Sequence, residues 1–307
     1  MTKRKTTKRK IVKRKSSKRY PELSKILIFA CMILVALYAY RFVTYEIKTV
    51  KETPRSEVKR VPEDVKNNLN PDFSPAYRVP ILMYHYVENV KDQKDTIRKS
   101  LNINPDIFEA QVKTLRDSGY TFLTARELGD IIDGTNKMPK KAVVITVDDG
   151  HFDNATVILP ILRKYNAKAT FYIIPDFING PDFLTDAQMH EIIESNLVEI
   201  GAHTVHHISL RAKIAPVVQY EVIQSKKMLE DRYGIRVNSF AYPNGDFDQQ
   251  AIEAVKSAGF TTAVSTVPGI EESAQNRFFL FRLRPGYKTG AELLNYFKQE
   301  EFKPYGQ

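Results

Sequence analysis

The sequence predicts an α/β domain with a mostly parallel sheet, carried behind one N-terminal membrane-spanning helix. Three observations predict it. Between residues 79 and 299, short apolar runs alternate with amphipathic stretches about seven times, the pattern of strands joined by covering helices. An unbroken run of apolar or aromatic residues, 26–40, directly follows a dense basic segment. The hydrophobic fraction is 43% of 307 residues, enough for a buried core, which excludes a wholly disordered chain.

The first element is a basic cytoplasmic tail, 1–22. Eleven Lys/Arg and no acid fall between residues 3 and 19, and the first 44 residues hold 13 of the 46 cations with Glu22 as the single acid. Residues 45–307 therefore carry 33 cations and 35 anions, so the net charge of +10 belongs to the N-terminus. A nucleic-acid-binding role would require basic character in the folded part, so nucleic acid is not expected as a partner.

The second element is a transmembrane signal-anchor over 23–44. The 18 residues Ile26 to Val43 approach the ~20 needed to span a hydrocarbon core, with Lys25 and Arg41 able to snorkel at the ends. Tyr38, Tyr40 and Tyr45 suit an interface. Positive charge ahead of the span keeps the N-terminus cytoplasmic and places the rest of the chain outside the cell membrane. Cleavage after Ala39 fits less well, because bulky Leu37 stands two residues earlier. Lipid attachment at Cys31 also fits poorly, since the apolar run continues past it. As the only cysteine, Cys31 excludes an intramolecular disulfide framework and a zinc site of several thiolates.

An extracellular linker, 45–77, follows, with Pro54, Pro62, Pro71 and Pro75 and no sustained periodicity. The folded domain occupies 78–307. Its predicted strands are 79–84, 142–147, 169–174, 197–202, 239–242, 262–266 and 278–283; its predicted helices are 105–118, 124–133, 154–165, 185–195, 215–233, 247–258 and 289–299. The order suits a barrel or a doubly wound sheet, in which chemistry gathers where strands end.

Two motifs stand at such ends. TVDDG, 146–150, puts two adjacent carboxylates after a buried strand, a costly arrangement unless something neutralises or coordinates them. An Asp-Gly turn alone would also account for it. GAHTVHH, 201–207, gathers three of the six histidines. His203 and His207 are four apart, so on a helical turn their rings would face one site while His206 points elsewhere. One Asp oxygen with two imidazoles is a three-ligand set for zinc or a similar divalent ion. A histidine-rich surface loop is the simpler alternative for that motif in isolation.

Taken as a pair, TVDDG and HTVHH resemble the T-F-D-D-G and H-[ST]-x-x-H patterns of the polysaccharide deacetylases, the NodB-homology family of carbohydrate esterases. VPILMYH (79–85), FEAQVKTLRDSGY (108–120), ATFYII (169–174) and FAYPNG (240–245) agree with it, the last being similar to the branch of intercellular-adhesin, or poly-N-acetylglucosamine, deacetylases. The resemblance covers about residues 79–285. It implies a distorted (β/α)7 barrel, an N-deacetylase among the hydrolases of non-peptide carbon–nitrogen bonds, and an N-acetylglucosamine polymer, peptidoglycan or poly-N-acetylglucosamine, as substrate. An O-acetyl esterase on an acetylated polysaccharide is the alternative within that chemistry, and an inactive carbohydrate-binding wall protein the alternative outside it.

Carried over residue by residue, the resemblance implies that Asp149, His203 and His207 hold a divalent metal, Zn2+ first and Co2+, Mn2+ or Ni2+ otherwise. Asp148 becomes the general base and the Asn244 N–H an oxyanion donor. The sequence departs from the family twice. Ala241 stands where many members have an arginine that orients the base, and Arg282 in FLFRLRP is the candidate substitute. No histidine follows His207, although most members draw the general acid from a late one. His85, at the end of VPILMYH, takes that role, with His151 as the second candidate. His190 reads as a solvated helix residue. Tyr86, Tyr242 and Tyr287 are candidate sugar-stacking residues, with Tyr242 placed beside Asn244 in the substrate site.

Overall fold

The computed structural model describes residues 59–69, 77–90, 92 and 94–299, all within the compact unit Val58–Gln307. The basic tail 1–22, the apolar span 23–44 and linker residues 45–58 and 70–76 lie outside the described residues. Among the described residues, no helix is long and apolar enough to cross a membrane.

The described chain begins with α1 (Glu63–Lys66), β1 (Tyr77–Arg78), β2 (Ile81–Tyr84), β3 (Tyr86–Val87), α2 (Thr96–Leu101) and β4 (Asn102–Ile103). It continues with α3 (Pro105–Asp117), β5 (Thr121–Leu123), α4 (Ala125–Ile132) and β6 (Ala142–Val147). A π-helical turn, Asn154–Ile158, leads into α5 (Leu159–Tyr165), followed by β7 (Ala169–Ile173), α6 (Asp186–Glu194), β8 (Val198–Ala202) and α7 (Ala215–Tyr233). The last elements are β9 (Ser239–Ala241), α8 (Gln249–Ser257), β10 (Thr262–Val264), β11 (Glu271–Glu272) and α9 (Gly290–Tyr296).

Helix boundaries follow local chemistry. Thr124 and Glu127 form a reciprocal capping box on α4, Thr185 and Gln188 repeat it on α6, and Asp248 accepts the Ala251 N–H of α8. Each satisfies amide donors that the first helical turn leaves unpaired. The longest helix among the described residues, α7, ends where Gly234 takes φ 64°, a left-handed conformation that glycine adopts without a Cβ clash.

Seven strands form one sheet in the order β10-β9-β8-β7-β6-β2, with β5 also on β6, and every pairing is parallel. Side chains alternate between its faces. Leu82, Tyr84, Val143, Ile145, Val147, Phe171, Phe240 and Tyr242 pack outward with the helices. Ile81, Val144, Tyr172, Ala241 and Val264 pack on the inner face, together with Ala125, Leu128 and Ile131 of α4. Runs such as AVVITV are buried throughout because both faces are covered.

The predicted strand 278–283 is not a continuous strand. It makes single parallel bridges, Val264 with Leu280 and Leu82 with Leu283. Its amides bond both end strands: Leu280 N–H donates to Ala263 O and Leu283 N–H to Ile81 O, each at 2.8 Å. A segment of four residues that reaches β10 on one side and β2 on the other requires the sheet to curl, which makes it a parallel half-barrel.

Residues 59–69, which the sequence assigns to the linker, pack onto the domain. Val61 and Val65 are buried in the outer core, Lys59 pairs with Asp246 at 2.5 Å, and Asp64 accepts the Gln249 N–H at 2.8 Å. Valines at 61 and 65 are too few to display a period, so the sequence hides the contact that α1 makes.

Candidate metal centre and active site

Asp148 directly follows β6, and its amide continues the ladder by donating to Tyr84 O at 3.0 Å. The alternation that turns Val144 inward also turns Thr146 and Asp148 inward. Asp149 then leaves the strand with φ 77°, which directs its side chain back towards the site. His203 directly follows β8 in the same way, with its amide on Ile173 O at 3.0 Å. After it, Thr204 (φ 63°) and His207 (φ 57°) are left-handed, so the chain between the two histidines is a loop and not the helical turn their spacing suggests. Both rings face one site because the loop folds back. Buried Glu221 of α7 holds that loop, accepting the amides of Val205 (2.8 Å) and His206 (3.0 Å) and pairing with His206 Nδ1 at 2.6 Å. His206 therefore points away from the other two, as expected.

One potential ligand atom from each of Asp149, His203 and His207 lies within 4.8 Å of the others. Asp149 Oδ1 is 3.5 Å from His203 Nε2 and 3.3 Å from His207 Nε2, yet it is buried with no hydrogen-bond partner. His203 Nδ1 is 2.7 Å from Ala241 O, which fixes the proton on Nδ1 and leaves the Nε2 lone pair towards Asp149. A buried carboxylate oxygen without a hydrogen-bond partner, facing two imidazole nitrogens, suits a cation. Burial lowers His203, but the Asp149 and Asp148 carboxylates outweigh it and raise this imidazole above its usual range. Burial and the neighbouring His203 lower His207 to about 4. Burial would raise Asp149, yet the neighbouring His151 and His203 imidazoles bring it well below the ordinary carboxylate range.

Asp148 is buried and bound in fork geometry by fully buried Arg282, with Nη1 at 2.7 Å from Oδ1 and Nη2 at 2.8 Å from Oδ2. Arg282 is fixed in turn by Ser265 O (2.7 Å) and Thr146 Oγ1 (3.1 Å). It sits in the segment 280–283 that joins the end strands, so the curl of the sheet delivers it to Asp148. Burial opposes the Asp148 charge, but Arg282 overrides it and lowers the carboxyl below its usual range. His85 Nε2 lies 3.8 Å from Asp148 Oδ2, and burial pushes this imidazole down to about 4.

Asn244 is exposed in the 3-10 turn Pro243–Gly245, which closely follows β9, and it takes φ 58° there. Tyr242, just before the turn, is not a substrate residue. Alternation along β9 puts it in phase with Phe240 on the outer face, where it is fully buried, stacks on Phe247 at 5.0 Å and donates its hydroxyl to Phe278 O at 2.9 Å. Tyr287 is exposed and Tyr86 half-buried. His190 is an exposed residue of α6, and His151 lies against Asp149, with Nε2 3.3 Å from Oδ2.

The sequence reading missed the parts that hold these groups: Ala241 O on His203, Glu221 beneath the histidine loop, and Ser265 and Thr146 on Arg282. Each lies far along the chain from its partner or acts through its backbone, so no local motif marks it.

A family model described as polysaccharide deacetylase matches residues 135–263. YxkH of Bacillus subtilis (strain 168), named as a polysaccharide deacetylase, is 32% identical over 216 residues, 70% of this chain and 74% of that one. The poly-β-1,6-N-acetyl-D-glucosamine N-deacetylase of Staphylococcus aureus (strain MSSA476) is 25% identical over 202 residues, 60% of this chain and 68% of that one. Among solved structures, the Streptococcus pyogenes deacetylase PplD in complex with acetate matches with a TM-score of 0.67 at 30% identity, covering 74% of this chain and 100% of that one.

Proposed function

Because the chain belongs to the polysaccharide deacetylase family, hydrolases of the N-acetyl amide bond, we propose that it is a metal-dependent N-deacetylase of an N-acetylglucosamine polymer at the cell surface. The observation that carries this reading is the convergence of Asp149, His203 and His207 beside an Asp148 carboxylate gripped by Arg282. The donor set of two imidazoles and one carboxylate favours Zn2+, with Co2+, Mn2+ or Ni2+ as other ions of suitable chemistry. When bound, such an ion supplies Lewis acidity at the acetyl carbonyl.

The chain's own residues divide the remaining work. Asp148, held ionised by Arg282, takes a proton from the attacking water. The Asn244 N–H faces the oxyanion as the carbonyl carbon becomes tetrahedral. His85, 3.8 Å from Asp148 and kept neutral by burial, receives that proton from Asp148 and passes it to the departing amine as the C–N bond breaks and acetate leaves. Exposed Tyr287 offers a face for a sugar ring. The distorted (β/α)7 barrel is the frame we read in the fold, supported by the bonds of 280–283 to both end strands.

The polymer we favour is poly-β-1,6-N-acetylglucosamine, supported by the activity named for the staphylococcal relative, with peptidoglycan as the other candidate. We place the domain outside the membrane, tethered by the span 23–44, on the strength of the basic run before it.

The test is acetate release by the full-length chain on poly-β-1,6-N-acetylglucosamine, peptidoglycan, chitooligosaccharide and acetylated xylan, with and without chelator. The expected result is release from one of the first two, lost on chelation and restored by Zn2+. Asp148→Asn should release no acetate while still binding Zn2+; full activity in that variant would sink the base assignment. Release from xylan alone would make the protein an O-acetyl esterase, and release from nothing an inactive carbohydrate binder.

A further inference from the structure

His151 directly follows the Asp-Asp-Gly turn and is buried. Its Nε2 lies 3.3 Å from Asp149 Oδ2, the oxygen turned away from the two ligand histidines. Its Nδ1 is buried without a partner. A carboxylate only accepts, so the ring proton belongs on Nε2, donating to Oδ2. Asp149 Oδ1 is left to face His203 and His207.

Several contacts fix this imidazole. Its ring stacks on Tyr86 with centroids 3.9 Å apart and planes at 21°, and on Phe183 at 4.9 Å and 30°. The Arg98 guanidinium lies 4.7 Å above the Tyr86 ring and is itself held by Glu88 (3.0 Å) and Asp182 (3.2 Å). The backbone closes the circuit, because Phe152 N–H donates to Asp182 O at 2.9 Å and Leu184 N–H to Gly150 O at 3.0 Å. A loop histidine that served only as surface would need neither the stack nor the pinned backbone.

We infer that His151 is a positioning residue of the metal centre: its Nε2–H holds Asp149 Oδ2, so that Oδ1 alone is presented to the ion, and the stack on Tyr86 and Phe183 keeps the imidazole in place. This rests on the reading of Asp149, His203 and His207 as the metal-binding set. Hydrogen-bond partners of ligating carboxylates orient them, and losing one commonly costs about 10–100-fold in metal affinity.

The experiment titrates the full-length, metal-stripped chain with Zn2+ against a competing chelator. His151→Phe keeps a ring for the stack and removes the donor, and its Zn2+ affinity should fall by about 10–100-fold. His151→Gln retains a donor and should recover most of the loss, while Tyr86→Leu should weaken binding by less than His151→Phe. Wild-type affinity in a folded His151→Phe overturns the inference. So does a loss of acetate release at unchanged Zn2+ affinity, which would make His151 a proton donor. If His151→Phe does not fold, Tyr86→Leu carries the test, and undiminished affinity there overturns the role of the stack. No Zn2+ binding by the wild-type chain would remove the metal reading itself, a result distinct from wild-type binding that the His151 variants leave unchanged.

Discussion

Arg282 carries its charge inside the curl of the sheet, where Asp148 balances it with two hydrogen bonds. Removing one partner of a buried pair leaves the other uncompensated, at a cost of about 3–5 kcal/mol. Arg282→Met should therefore lower stability by that amount in urea denaturation and abolish acetate release, while Asp148→Asn combined with Arg282→Met should be less destabilised than the two single losses added together. Asp153 behaves differently. Burial raises its carboxyl from 3.8 to about 6, against the opposing bond from Val87 N–H. Below the unfolded value both states hold the proton; between that value and about 6 only the folded chain does. Stability should then fall as pH rises through this window, by on the order of 3 kcal/mol in total, and level off above it. Asp153→Asn removes the effect, so its stability advantage over wild type should grow from about pH 4 to about pH 6 and then stay constant; parallel curves would refute the assignment. At this scale the sequence named Asp148, Asp149, His203, His207 and Arg282, because motifs record side-chain identity. Ala241 entered only as the place of a missing arginine, although its carbonyl orients His203.

Strand β8 and its loop form the element on which the histidines depend. Gly201 lies beside the Tyr172 ring so closely that a Cβ would stand 2.5 Å from its Cδ1 and 2.8 Å from Ser239 Oγ. Gly201→Ala should cost about 1–3 kcal/mol by overpacking, read as a lowered thermal midpoint. Because the displaced strand carries His203, Zn2+ affinity should fall with it; unchanged melting and affinity would show that the inner face has room. Helix positions were legible because caps and hydrophobic period are local: the expected 215–233 coincides with α7, and 124–133 with α4 to within one residue at each end. The expected strand 278–283 was legible as a short apolar run, and the structure alternates its side chains, with Phe279, Phe281 and Leu283 in the outer core and Leu280 in the inner. Alternation reports which faces are covered. It does not report how many ladder bonds form, and here single bridges suffice.

The whole molecule joins a charge-balanced domain to a basic N-terminus. With the span 23–44 as anchor, protease added to intact cells should digest the domain, and a protected domain would contradict the proposed topology. The sequence by itself determined six of the seven strands of the main sheet and the helices from α3 onward, their α/β order, the family resemblance and the side chains of the candidate centre, since each is written in local pattern or residue identity, whereas the three-residue β5 is too short to show one. Only the tertiary structure decided that residues 59–69 belong to the domain, that Tyr242 is outer core, that a left-handed loop and not a helix aims His203 and His207, and that the curl of the sheet brings Arg282 onto Asp148. Those outcomes depend on which face a strand turns inward and on contacts between residues as much as 187 positions apart, and a chain read one window at a time contains neither.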